Sequence, residues 1–250
     1  MVDIEKFKTS PMGKALVELS EEMGDEHIPP ITINAVGGFA LMLHGKRDID
    51  SVTDIDYIGT EFSQKFNKIA DRIGNKHKLG TGWINNDIMV SGYTLDDFTA
   101  STGELHFTPA GQIGNIAINV LEEKDLLKLK IIAIDTSLMA CEYEGDFTRR
   151  KDLADIKNLM QSQNMTIDDI RDKWNDMILG SNTMDVLQSY LTKGDKEVDR
   201  KIKEIATSAD IANQNTTADY TFSPFVQNLL NNAYKRAQTL EDEDDTEEYN

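Results

Sequence analysis

Residues 31–59, ITINAVGGFALMLHGKRDIDSVTDIDYIG, constrain the fold more than any other stretch. Ile31, Ile33, Ala35 and Val36 form a short apolar run with the length and composition of a buried strand. Gly37-Gly38 interrupts it and lets the backbone turn sharply and come close to a ligand. Phe39 to Leu43 then read as the apolar start of a helix. Main-chain N–H groups at such a turn and at a helix N-terminus can hold phosphate oxygens. After a polar link, Asp54-Ile55-Asp56-Tyr57-Ile58 reads as a second strand. Strand alternation places Asp54 and Asp56 on one face, with Ile55 and Tyr57 on the other. Two adjacent carboxylates repel each other, which suggests a divalent cation between them.

Two competing motifs fail on their own requirements. Asp48, Asp50, Asp54 and Asp56 fall at alternate positions, as in a calcium loop. Counted from Asp48, however, the place of the required glycine holds Thr53 and the place of the final glutamate holds Gly59. A dinucleotide fold needs Gly-x-Gly-x-x-Gly after the strand, where this chain has Gly-Gly-Phe-Ala-Leu-Met.

The ordered set of apolar strand, Gly-Gly, helix and Asp-x-Asp resembles the signature of the nucleotidyltransferase superfamily. It is most similar to the bacterial branch that includes the toxins of type IV toxin–antitoxin systems. That branch adds an arginine upstream of the acid pair, a place Arg47 can fill. It also adds a helix with a lysine and then a Lys-Asp pair, matched by Lys130 in DLLKLKIIA and Lys151-Asp152 in RRKDLADI. The resemblance covers roughly residues 25–160. It implies an α/β (α+β) fold, a nucleotidyltransferase-like mixed sheet flanked by helices. It implies transfer of NMP from an NTP to a hydroxyl on transfer RNA or on a protein, with an antitoxin protein as a further partner. Asp54 and Asp56 would bind Mg²⁺ and, with Lys130, form the catalytic set. Gly37, Gly38, Arg47 and Lys130 would bind the nucleotide, with Asp152 orienting Lys130.

Family members commonly carry a third carboxylate on a later strand. The strand before the Lys130 helix offers Asn119 instead, which is neutral and cannot take a proton at neutral pH. Three readings stay open: the acid comes from Asp87 or Asp97, two acids suffice, or the chain binds a nucleotide or a protein without turnover. A Trp83-to-Asp87 segment also resembles a short motif of the same branch, although an exposed turn aspartate explains Asp87 equally well.

Composition narrows the partners. The net charge is −18, and seven carboxylates of it lie between Glu241 and Glu248. Bulk DNA binding is not expected of such a chain, because affinity for nucleic acid rests on lysine and arginine neutralising phosphates. A local basic patch such as Arg149-Arg150-Lys151 remains compatible with it. The single cysteine, Cys141, leaves no disulfide framework within the chain and no zinc site built on cysteines. No signal pattern opens the chain and no apolar run has the length of a membrane span, so a cytoplasmic location away from membranes is the expectation.

The remaining segments divide the chain into an α/β domain over 1–163, a helical region over 164–240 and a disordered acidic tail over 241–250. Helices are expected over 12–23 and 61–73, the latter with Phe62, Phe66, Ile69, Ala70 and Ile73 at helical spacing. Strands are expected at 87–90, 105–107 and 113–121. A helix over 122–139 carries Lys130, which spacing alone places at the surface and the resemblance places at phosphates. A helix over 149–163 turns Leu153, Ile156, Leu159 and Met160 inward and leaves Lys151, Asp152 and Asp155 on its exposed side or first turn. Acids there also suit the helix dipole, a sufficient structural reason for Asp152. Further helices are expected over 167–178, 183–193, 196–210 and 223–238, as a second domain or a helical cover on the first. Thr166 and Asp169 have capping spacing at the start of this region.

Overall fold

The computed structural model describes residues 2–86, 104–144, 147, 149–173 and 181–215. The chain is α+β, with helices packed around a small mixed sheet. A short helix α1 (Ile4–Phe7) leads into α2 (Pro11–Asp25). Ser10 caps α2 by accepting from Gly13 N at 3.0 Å, and Pro11 occupies the first turn, where its missing N–H costs nothing. Strand β1 (Ile31–Ala35) runs into α3 (Gly37–Leu43), so the helix begins at the double glycine itself. Strand β2 is only Ile55–Asp56, shorter than the alternation predicts. It is followed by α4 (Gln64–Lys76) and β3 (Ile84–Asn85).

The hairpin of β4 (Phe107–Ile113) and β5 (Ile116–Leu121) completes the sheet. The expected single strand over 113–121 is therefore broken by the turn at Gly114 and Asn115. Most of β4 is unforeseen, and it contains Pro109 and Gly111, residues that disfavour a central strand. They are tolerated because β4 is an edge strand, with a register shift between those two residues. β5 lies between β1, to which it runs parallel, and β4, to which it runs antiparallel. β2 pairs parallel with β3 and joins β1 through an antiparallel bridge between Ala35 and Tyr57. Val36 N donates to Asp56 O at 2.9 Å and Ile58 N to Asn34 O at 3.0 Å. These bonds tie the aspartate strand to the end of β1 where the glycines follow.

Helix α4 has the expected amphipathic form. Ser63 caps it by accepting from Phe66 N at 3.2 Å, and Phe66, Ile69, Ala70 and Ile73 are buried. Phe62 precedes the helix and stacks on Tyr57, with ring centroids 4.6 Å apart. Trp83 is buried and donates Nε1–H to Ala70 O at 2.7 Å.

The long helix α5 (Glu123–Glu144) buries Leu126, Leu127, Ile131, Ile134 and Leu138. It packs against α3 and against α6 (Arg150–Ser162). The helical region follows with α7 (Ile167–Lys173), α8 (Ser181–Lys193) and α9 (Asp195–Asn215). α8 and α9 pack on α5, and one contiguous core runs from Phe7 through Ile205. α8 and α9 thus lie along one flank of α5. Thr183 on α8 donates to the buried Asp135 of α5. At the start of α7, Thr166 N donates to Asp169 Oδ2 at 2.7 Å and Asp169 N to Thr166 Oγ1 at 3.2 Å, a reciprocal cap. Among the described residues no helix is long and apolar enough to cross a membrane. The strand expected at 87–90, the helix at 223–238, the acidic tail, Asp87 and Asp97 lie outside the described residues.

Candidate functional site

Two side chains from different parts of the chain meet at the turn after β1. Gly37 has φ +60°, in the left-handed region, and a Cβ there would collide with Asp56 Oδ2. A Cβ on Gly38 would lie 2.8 Å from Arg47 Nη1. The glycines are thus required twice over, by backbone conformation at one and by close approach of a charged group at each. The Asp56 carboxylate and the Arg47 guanidinium flank the same two peptide units.

Alternation on β2 separates the residues as expected. Ile55 and Tyr57 are buried, Asp56 is half-buried and Asp54 is exposed. Asp54 makes no hydrogen bond or ion pair among the described residues. No group of three or more His, Cys, Asp or Glu is arranged to hold a metal among those residues. Among the described residues, a cation here would rest on the two aspartates.

Behind Arg47 lies a buried network of charges. Asp155 accepts from Arg47 Nε at 3.1 Å and from Nη2 at 2.5 Å. The same carboxylate lies 3.1 Å from Lys130 Nζ, which also donates to Asp152 Oδ1. Arg149 Nη1 stands 3.6 Å from Asp152 Oδ2. That Oδ2 is buried and has no hydrogen-bond partner among the described residues, so its charge is met only by ion pairing. The Lys130 side chain is 11 % exposed, which overturns the surface placement that spacing alone gave it.

Asp155 is likewise buried and not on the outer side of α6, and Asp152, in the first turn as expected, is buried too. The cause is geometric. Residues 152, 155, 156 and 159 follow the spacing of one helical face, so both acids share the inward face with Ile156 and Leu159. Their partners Lys130 and Arg47 make that burial tolerable. Asp155 and Arg149 are the site residues that sequence reasoning missed. Arg149 of this group is exposed, and so is Lys151. Lys151 lines a depression of about 540 Å³ with Lys46, Arg47, Asp48, Ser51 and Asp155.

Asn119 faces Asn34 across β1 and β5, and its Nδ2 donates to Asn34 Oδ1 at 3.0 Å. A neutral amide pair therefore occupies the place where a third carboxylate was sought. No family model matches the chain, and none of the curated proteins or solved structures compared with it matches it.

Proposed function

We propose that this protein is a nucleotidyltransferase-like enzyme that transfers NMP from an NTP to a hydroxyl on RNA or on a protein, with Mg²⁺ as cofactor. The observation that supports this reading is the meeting of Asp56 and Arg47 on the two glycines of one turn. Such a turn offers main-chain N–H groups to phosphate oxygens, with a cation on one side and a carboxylate on the other.

The donor set suits the metal. Mg²⁺ takes one or two protein carboxylates, keeps several waters and completes its shell with substrate phosphates, a demand that Asp54 and Asp56 can meet. Bound there, it would supply charge for the triphosphate and polarise the α-phosphoryl group. Gly37 and Gly38 would hold the β and γ oxygens without side-chain obstruction. Arg47 would present Nη1 to the same phosphates while Asp155 fixes its other two donors. Lys130 would keep a positive charge in place as negative charge spreads during transfer, oriented by Asp152 and Asp155. Rate enhancement would come mainly from positioning and electrostatics. A role in a toxin–antitoxin pair, with an antitoxin protein as partner, extends this reading and rests on the resemblance alone.

A second reading keeps the fold and removes the turnover. The Asn34–Asn119 amide pair favours it, because it supplies no base for the acceptor hydroxyl. The chain would then act as a nucleotide- or protein-binding module.

Thermal unfolding with each of the four NTPs, with and without Mg²⁺, separates these readings. A ligand that binds only the folded state raises Tm. A magnesium-dependent rise that disappears in Asp56→Asn, followed by transfer of labelled nucleotide, is the result expected of the enzyme. The same rise without transfer to any acceptor is expected of the binding module. No rise with any NTP would sink the enzyme and the nucleotide-binding module, leaving the protein-binding form of the second reading.

A further inference from the structure

A second polar depression lies away from the glycine turn. It has a volume of about 540 Å³ and is lined by Glu104, His106, Lys124, Asp125, Lys128 and Gln163, among others. Asp125 is buried, and its Oδ2 accepts both from the main-chain N of His106 and from His106 Nδ1, each at 2.9 Å. One buried carboxylate oxygen is thus committed to fixing a single histidine. Because a carboxylate only accepts, Nδ1 carries a proton and the remaining chemistry of the ring sits at Nε2. His106 Nε2 has no partner among the described residues, and the side chain is 42 % exposed.

Lys124 and Lys128 stand one helical turn apart on α5 and share a face. Neither has a carboxylate partner among the described residues. Two lysines and an oriented imidazole with an open Nε2 acceptor thus stand beside one cavity. Gln163 is anchored by donating Nε2–H to Glu123 O at 3.2 Å. The charges facing His106 are therefore Lys124, Lys128, Asp125 and the exposed Glu104.

We propose that this depression binds a phosphate monoester, with Lys124 and Lys128 pairing with its charge and His106 Nε2 accepting from the P–O–H of its monoanionic form. Lysine meets phosphate as a point charge and the imidazole adds direction, so the pair recognises the group without dictating what carries it. Glu104 opposes the anion and limits affinity. The site is separate from the glycine turn. β5 and β1 stand between β4, which follows His106, and β2, which carries Asp56. At about 4.8 Å per strand this separation is too large for His106 to serve a phosphate held at Asp56.

The test is a titration of the full chain with inorganic phosphate, AMP and sulfate, read through the side-chain ¹H–¹⁵N resonances of His106. Inorganic phosphate or AMP is expected to shift the Nε2 resonance saturably, and sulfate to do so more weakly. AMP binding more tightly than inorganic phosphate would identify an ester-borne group, and equal affinity a free phosphate. The double variant Lys124→Gln/Lys128→Gln should weaken binding roughly tenfold or more, and Glu104→Gln should tighten it. Asp56→Asn should leave the titration unchanged, so loss of the glycine-turn reading would not affect this one. Absence of any saturable shift, or an unchanged affinity in the double lysine variant, would overturn the proposal.

Discussion

Asp155 holds the guanidinium of Arg47 at two nitrogens across a sequence separation of 108 residues, and the same carboxylate reaches Lys130. One acid on α6 therefore fixes two cations from separate segments. Removing it leaves both cations part-buried without their shared partner. Asp155→Ala should lower the unfolding free energy by about 3–5 kcal/mol, the usual cost of breaking a buried pair from one side. Urea denaturation measures this. A loss below about 1 kcal/mol would mean that the pair behaves like an exposed one.

Gly37→Ala separates strain from function. The colliding atom is the end of the Asp56 side chain, which can swing away, so the steric part is cheap. The positive φ remains and costs about 1–2 kcal/mol for any residue with a Cβ. The expected outcome is a folded protein of slightly reduced Tm whose NTP-dependent stabilisation is lost, because Asp56 no longer stands against the turn. Circular dichroism and the nucleotide titration together check it. Retained nucleotide binding would separate the turn from the site.

Trp83→Phe keeps most of the buried ring and removes one donor. Ala70 O then loses the bond it accepts from Nε1, inside a packed region. The expected cost is about 0.5–1.5 kcal/mol, the net worth of one hydrogen bond, because Ala70 O lies inside α4 and keeps its helical donor. A thermal melt that overlays wild type would show that another donor replaces the indole.

Glu18 links stability to pH. It accepts from Lys76 Nζ at 2.7 Å and lies 2.9 Å from His77 Nε2. The Lys76 hydrogen bond, followed by that of His77, holds its carboxyl below the ordinary value of 4.5. A lowered folded-state value means that the stabilisation is complete above 4.5 and is lost as pH falls through the lowered value. Glu18→Gln should be less stable than wild type at neutral pH by under about 1 kcal/mol, given how exposed Lys76 is. The two proteins should converge in acid. Urea midpoints measured across that range test the sign.

The glycine turn and the Asp56 strand were legible because their signals are local. A double glycine and a two-residue alternation can be read without knowing what lies across the fold. Lys130 could not be placed from spacing, since a lysine among leucines is satisfied equally by water or by a carboxylate that arrives from another helix. Asp155 was misplaced and the burial of Asp152 in the first turn was not foreseen, although their spacing with Ile156 and Leu159 already put both inside. β4 was mostly missed, and its Pro109 and Gly111 disfavour a central strand and not an edge one. For Lys130 neighbours distant in sequence decided the outcome, and for β4 its place at the sheet edge did.

Helix α5 carries Lys130 on one stretch and, five residues later, Asp135, which accepts from Thr183 of the covering helices. At 1.5 Å per residue these anchor points lie about 7.5 Å apart on one rigid rod. A chain cut after residue 163 would lose α8 and α9 and wet the apolar flank that they shield. The α/β portion is accordingly a poor candidate for expression alone. A ligand seated on the outer helices would have a short mechanical route to the lysine.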